Sequence, residues 1–389
     1  MTTSGGGGSR ADTPMGRALA ARAVALRQAR GRTALATAGA IDLTQPEVAV
    51  LPQPVVQAAK DALDRGMTHY TTRPGVVELR QAIAERSTAD GFPATVASTV
   101  VTNGGSEGLY VVLQGLLGPG DTVAVVEPVA PNVIDMLTFI GATVNRISPS
   151  AEDRFVPQPE AIADSGAAVL LLASPSPITG VTIPPETLER FVAAAVEQGV
   201  TVVLDRSSAA AAYDAAVVRF PNPELGAQVV TIGSFSDAYG LSGWRVGYFT
   251  APAERLGKLG GLKQAMSICT TAVSQYAALA ALQEADAWLA ERRAEFARRR
   301  DLAVSRLEAA GLPVVTPDVF PTLLIDVRGL AASDVELAER LAADGTVVQP
   351  GSVYGQATAG FLRINLGVPT DDLEPGIERI ARLRNGVEG

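Results

Sequence analysis

Short apolar runs alternate with helical patterns through the middle of the chain. Thr99–Val101, Thr122–Val126, Ala168–Leu172, Thr201–Leu204, Gln228–Ile232 and Val246–Phe249 are rich in branched aliphatic residues and predict strands buried on both faces. Amphipathic stretches such as Pro185–Gln198 fall between them and predict covering helices. This alternation predicts an α/β fold around a mainly parallel sheet. Further on, Asp286–Ala310 reads as one long charged helix. Its run Arg292-Arg293-Ala294-Glu295-Phe296-Ala297-Arg298-Arg299-Arg300-Asp301 reads as a solvated helix face. Thr322–Val327 and Phe361–Leu366 predict two more strands, in a smaller C-terminal unit. No internal repeat interrupts the pattern.

The 389 residues suit one large two-lobed unit or two domains, with ample length for a core. The expected division is a disordered tail over 1–14, a segment 15–50 joining the small domain, a large domain over 51–285 and a small C-terminal domain over 286–389. Hydrophobic residues make up 47% of the chain and mean hydropathy is +0.20. No apolar run reaches the roughly 18 residues that a membrane helix needs. A net charge of −9 argues against nucleic acid as the main partner. Cys269 is the only cysteine, which excludes an internal disulfide and fits a reducing cytoplasm. One histidine and one cysteine cannot build a zinc-type site, so no metal centre is expected. The arginine-rich, alanine-rich and lysine-poor composition suggests a GC-rich bacterial genome, where such chains often lie in clusters for specialised metabolism.

Several polar signals sit just past the carboxyl end of a predicted strand, where open α/β sheets place their ligands. Thr102-Asn103-Gly104-Gly105-Ser106-Glu107-Gly108 follows one strand and opens a helix, whose free N–H groups attract anions; a plain tight turn is the other reading. Asp205 ends another strand, as a ligand contact or as a helix cap.

The segment Ser234-Phe235-Ser236-Asp237-Ala238-Tyr239-Gly240-Leu241-Ser242-Gly243-Trp244-Arg245 resembles the signature of class I/II aminotransferases, pyridoxal-phosphate (PLP) enzymes of fold type I. The resemblance runs from about Ile41 to the C-terminus. It implies a large domain with a mainly parallel seven-stranded sheet, a smaller α+β domain and a homodimer with sites at its interface. It also implies that Gly104, Gly105, Ser106, Ser234, Ser236 and Arg245 form a phosphate cup, and that Asp205 pairs with the pyridine nitrogen. Tyr70 would reach the neighbouring subunit's phosphate, and Arg363 would clamp a substrate carboxylate. His69 neighbours that tyrosine and reads as a surface or packing residue.

The departures are as informative as the matches. Asp237 stands where the signature has the Schiff-base lysine, and a carboxylate forms no imine. Of the three lysines, Lys60, Lys258 and Lys263, each reads as a solvated surface residue. Pro177 and Ser208 stand where an asparagine and a tyrosine contact the PLP phenolic oxygen. Ala130 replaces a ring-stacking aromatic, and Arg206 stands where acidic residues are common. Losing stacking costs about 0.5–1.5 kcal/mol, and losing a hydrogen bond to a charged oxygen about 1.5–3 kcal/mol. The expectation is therefore a chain without a covalent cofactor that holds PLP or pyridoxamine phosphate (PMP) weakly at most. Its substrate would carry a carboxylate, with or without a phosphate, and meet Arg363, Ala130, Pro177, Arg206 and Ser208. Three readings stay open: an enzyme that uses Asp237 as general acid or base and does not run ordinary transamination; a non-covalent PLP or PMP enzyme; and a non-catalytic binding or regulatory relative.

Overall fold

The computed structural model describes residues 40–44, 50–162 and 165–385; the expected N-terminal tail lies outside them. Seven strands form the large sheet: β1 Thr99–Thr102, β2 Thr122–Val126, β3 Thr143–Ile147, β4 Val169–Ala173, β5 Thr201–Asp205, β6 Val230–Ser234 and β7 Gly247–Thr250. Their order is β1-β7-β6-β5-β4-β2-β3. The run β6-β5-β4-β2-β3 is parallel throughout, and β7 is antiparallel to both its neighbours, β1 and β6.

Strand periodicity decides which side chain meets which layer. On β2, Val123 and Val125 enter the cluster formed with Val111, Leu113 and Leu259. Ala124 and Val126 enter the opposite cluster with Phe191 and Val192. On β4, Val169 and Leu171 take the first side, and Leu170 and Leu172 the second. Burial on both faces is why these strands read as unbroken apolar runs. The edge strand β3 is not legible in that way: Thr143, Asn145 and Arg146 are exposed and the run is polar.

Helices α1 Gln53–Asp64, α2 Val77–Ala89, α3 Gly105–Leu116, α4 Pro131–Ile140, α5 Pro185–Glu197, α6 Ala253–Ser267 and α7 Ala272–Glu284 cover the large sheet and its flank. Proline opens α4 and α5 at their first turns, where the missing N–H costs nothing. The 24-residue α8 Asp286–Ala309 then leads to a four-stranded antiparallel sheet. That sheet has the order β10-β11-β9-β8, from β8 Val314–Val315, β9 Thr322–Asp326, β10 Gln349–Pro350 and β11 Phe361–Asn365. Helices α9 Asp334–Ala343 and α10 Thr370–Asn385 complete this part. Ile41–Asp42 pairs with Thr346–Val347, and the Leu43 carbonyl accepts from Asn365 N at 2.7 Å.

The arginine run of α8 is not a solvated face. Arg293 donates to the Ala210 carbonyl at 3.0 Å, and Arg299 to the Leu366 and Val368 carbonyls at 3.0 and 2.9 Å. The guanidinium of Arg292 lies over Phe296 and that of Arg300 over Tyr213. Among these arginines Arg298 keeps an exposed position, paired with Glu295. Helical spacing locates a charge on a face but not which loops will fold against that face.

Lys263 also departs from expectation. Lys60 and Lys258 are exposed, whereas Lys263 is 1% exposed, on α6 where it packs on α3, and its Nζ has no hydrogen-bond partner among the described residues. Burial pulls its pKa down from the ordinary lysine value, opposed by the nearby Glu107 and Cys269. His69 is exposed, as its surface reading implies.

Arg206 leaves the ligand side altogether. It is buried, pairs with Asp90 at 3.1 Å, donates to the Val218 carbonyl at 2.9 Å and stacks on Phe92. Arg206→Ala would strand Asp90, which retains only the longer contact to Arg86 at 3.7 Å. We expect a loss of about 3 kcal/mol, the lower end for a broken buried pair, read from the urea midpoint, with ligand affinity unchanged.

Candidate active site

The carboxyl ends of β1, β5 and β6 deliver their polar residues to one edge of the sheet. After β1 the chain turns at Gly104, with φ 86°, and starts α3 at Gly105. A Cβ on Gly104 would lie 2.5 Å from Arg245 Nη2, so the bare backbone lets the guanidinium lie against the turn. Arg245 is held there by the Ser242 carbonyl at 3.0 Å and, more loosely, the Asn103 carbonyl at 3.4 Å. It sits at the left-handed φ of 54°. Gly105 abuts Ser234 and the hydroxyl of Ser207. Ser234 Oγ donates to Ser236 Oγ at 3.0 Å and accepts from Ser236 N at 3.1 Å. Ser106 is exposed at the helix start. The start of α3, the serines at 207, 234 and 236 and the Arg245 guanidinium thus lie close together past the ends of β1, β5 and β6, donor types that suit a phosphate dianion.

Asp205 projects from the end of β5 beside this cup. Burial raises its pKa, an effect opposed by hydrogen bonds from Ser207, whose N donates to Asp205 Oδ1 at 2.8 Å. Ser207 is absent from the expected site residues. Its signal in the sequence is its place two residues beyond the strand-end aspartate, a spacing that makes an Asx-type turn.

A cavity of about 220 Å³ opens between the two sheets. Asp237, Ser208, Pro177 and Arg363 all line it, together with Ser176 and Thr322. Burial raises the Asp237 pKa, opposed by the positive charge of Arg363 and reinforced by Asp205. Arg363 lies on β11 opposite Gln349 of β10, which accepts from its Nη1 at 2.8 Å; the Pro177 carbonyl accepts from Nη2 at 3.2 Å. The Tyr354 ring stacks on the guanidinium, and its hydroxyl donates to Gln349. Among the described residues the Nε of Arg363 has no partner, and neither has the buried Thr322 hydroxyl.

Two other expected substrate contacts fail. Arg206 is turned away from the cavity, toward Asp90 and Phe92. Ala130 caps the start of α4 and packs on the apolar cluster behind the sheet; it does not line the cavity. Tyr70 is 79% exposed, so within one chain it does not reach the cup.

Residues 39–380 match the family model of aminotransferase class I and II. The chain belongs to the class I and II aminotransferase family. It is 32% identical to the aspartate/prephenate aminotransferase of Thermus thermophilus over 94% of both chains. It is 30% identical to the aspartate aminotransferase of Thermotoga maritima, over 86% of this chain and 88% of that one. The Thermus thermophilus aspartate aminotransferase structure with maleate superposes with a TM-score of 0.83 at 31% identity, covering 94% and 96% of the two chains. An aminotransferase from Mycobacterium tuberculosis gives 0.86 at 26% identity, covering 98% and 100%.

Membership in this family corrects the cofactor expectation. A chain without a covalent cofactor, taking PLP or PMP weakly at most, does not describe a PLP-dependent family that carries the cofactor as a Schiff base and matches this chain over 39–380. That expectation rested first on Asp237 in place of the lysine, and then on Pro177, Ala130 and Ser208, and gave too little weight to the family match over 39–380. The donors at the α3 start, Ser234, Ser236 and Arg245 are of the kind that fits the phosphate of PLP, and Asp205 of the kind that fits its ring nitrogen; residue 237 is a carboxylate, not an amine.

Arg245→Ala removes a charged donor to a phosphate, worth about 1.5–3 kcal/mol. PLP titrations followed by absorbance should weaken about ten- to hundredfold, with affinity for pyridoxal, which has no phosphate, unchanged.

Proposed function

We propose that this aminotransferase-family enzyme acts on an amino acid or keto acid whose carboxylate is held by Arg363, with Asp237 doing proton-transfer work in place of the motif lysine. One observation carries this reading: Asp237 and Arg363 line the same small cavity, beside the strand ends that form the cup. We assign the phosphate of PLP to the α3 N-terminus, Ser234, Ser236 and Arg245, and its ring nitrogen to Asp205. PLP, when bound, supplies an electron sink for charge that develops next to the substrate carboxylate.

Arg363 orients the substrate. Its fork is fixed by Gln349 and the Pro177 carbonyl, so little side-chain freedom remains to be lost on binding. Asp237 serves as general acid or base. Its raised pKa suits that work, since a carboxylate displaced toward neutrality exchanges protons more readily near working pH. The cavity wall formed by Phe320, Val319 and Pro321 limits water around that exchange. A carboxylate at 237 also argues for a reaction other than ordinary transamination, in keeping with a dedicated step of bacterial specialised metabolism.

We also infer a homodimer. Leu63, Met67, Tyr70, Met266 and Ile268 are exposed apolar side chains on α1, α6 and the segments that follow them. In such an assembly Tyr70 would reach the neighbouring cup.

Asp237→Asn should lower turnover of the responsive amino or keto acid at least about a hundredfold, while circular dichroism stays that of the wild type. If Asp237 works as a base, wild-type turnover should rise with pH through a pKa above the ordinary carboxylate value, and the variant should lose that limb. Unchanged turnover in Asp237→Asn sinks the assignment.

A further inference from the structure

Glu127 is 2% exposed, just past the end of β2, and takes no part in the chemistry assigned to Asp237 and Arg363. A carboxylate taken out of water has to be paired and hydrogen-bonded. Its Oε1 accepts from Arg146 of β3, and its Oε2 accepts from Ser148 Oγ at 3.0 Å. These bonds stay at the edge of the large sheet. A further one leaves it: Oε2 accepts from Ala357 N at 3.2 Å, 230 positions along the chain. Gly355 lies against the same carboxylate, and a Cβ there would stand 2.6 Å from Oε1, so the bare backbone permits the approach. Two residues past Glu127, Val129 N donates to the Tyr354 carbonyl at 3.0 Å. The segment held in this way is the platform beside Arg363. The Tyr354 ring centroid lies 5.5 Å from the guanidinium carbon, and the Tyr354 hydroxyl donates to the Gln349 oxygen that also accepts from Arg363 Nη1 at 2.8 Å. Ser352 N donates to Asp334 at 2.6 Å, and Thr358 Oγ1 donates to the Gly351 carbonyl at 2.8 Å, which fixes the two ends of the segment. Between those ends, Tyr354 and Ala357 are held by Val129 and Glu127.

We propose that Glu127 is a positioning residue for Arg363, acting through the 354–357 segment. Its carboxylate pins Ala357 and packs on Gly355, which sets Tyr354, and Tyr354 together with Gln349 aims the guanidinium at the cavity. The polar edge strand β3 has a use here: Arg146 and the nearby Ser148 orient the carboxylate so that Oε2 meets the Ala357 N–H. The proposal rests on reading Arg363 as the anchor of the substrate carboxylate, and it adds what keeps that anchor aimed. Reach is the property that matters at 127, because the Ala357 N–H needs an oxygen at that distance. The charge serves the pair with Arg146, which is 42% exposed on its side chain and adds little on its own.

The test compares Glu127→Ala, Glu127→Asp and Glu127→Gln in the full chain. Glu127→Asp keeps the charge but withdraws the oxygen by one methylene, and Glu127→Gln keeps the reach without the charge. In crystal structures, Arg363 should leave Gln349 or the Pro177 carbonyl in Glu127→Ala and Glu127→Asp and keep both in Glu127→Gln. Calorimetric titration with pyruvate and with L-alanine should show binding weakened about ten- to hundredfold in Glu127→Ala and Glu127→Asp, the size expected of a misplaced binding group, and by less than about threefold in Glu127→Gln. Affinity for inorganic phosphate, the probe of the cup, should hold in all three. Glu127→Asp serves where Glu127→Ala fails to fold. An Arg363 that keeps both bonds in Glu127→Ala and Glu127→Asp overturns the proposal. So does a Glu127→Asp that matches the wild type while Glu127→Gln does not, or a parallel loss of phosphate affinity. The reading of Arg363 fails separately, through an Arg363→Ala that binds pyruvate and L-alanine as the wild type does. The crystal structures would then still decide whether Glu127 sets the place of that side chain.

Discussion

At Gly247 there is no room for a side chain. A Cβ there would collide with the backbone of Gly104 and Gly105 on one side and the Gly233 carbonyl on the other. Strand β7, antiparallel between β1 and β6, presses its backbone directly against the turn that opens α3. The candidate phosphate cup depends on that bare approach. It sets the N–H groups of α3 beside the serines of the β6 end, and it leaves the Gly104 surface open for the Arg245 guanidinium. A methyl group at 247 would push the turn away from the strand, and the converging donors would part before any of them was mutated.

The opposite wall is assembled differently. Arg363 is carried on the antiparallel sheet, and its orientation comes from its cross-strand neighbour Gln349, from Tyr354 and from a carbonyl of the Ser176-Pro177 loop. Glu127, buried at the end of β2, reaches across to the Ala357 N–H and also meets Arg146 and Ser148. The site therefore joins a rigid edge built from glycine contacts to a wall held by polar ties.

Much of this could be read in the sequence, for physical reasons that differ by element. Strands β2, β4 and β5 were legible because both faces are buried and their apolar runs have no other use. Edge strand β3 was not, because Thr143, Asn145 and Arg146 face solvent and its pairing is a matter of backbone. The cup and Asp205 were legible because backbone conformation and strand-end position restrict residue choice. Arg206 misled because its role depends on Asp90, 116 positions away, which no local spacing reveals. Lys263 misled because lysine is seldom buried, and only the packing of α6 on α3 decides otherwise. The cofactor expectation failed for another reason: it weighed single substituted positions and not the family match over 39–380.

Helix α8 ties together two of the segments that run beside the cavity. Arg293 binds the Ala210 carbonyl, two residues beyond Ser208. Arg299 binds the Leu366 and Val368 carbonyls, just past the strand that carries Arg363. One stiff rod thus spans the two jaws of the pocket and works as a calliper. The rise along the helix from 293 to 299 sets the spacing of these two ties, alongside direct bonds such as that from Arg363 to the Pro177 carbonyl. A ligand that needs a wider gap must bend or displace the rod, and one that is too short cannot touch both jaws at once. Any length preference set in this way would come from a helix that does not line the cavity.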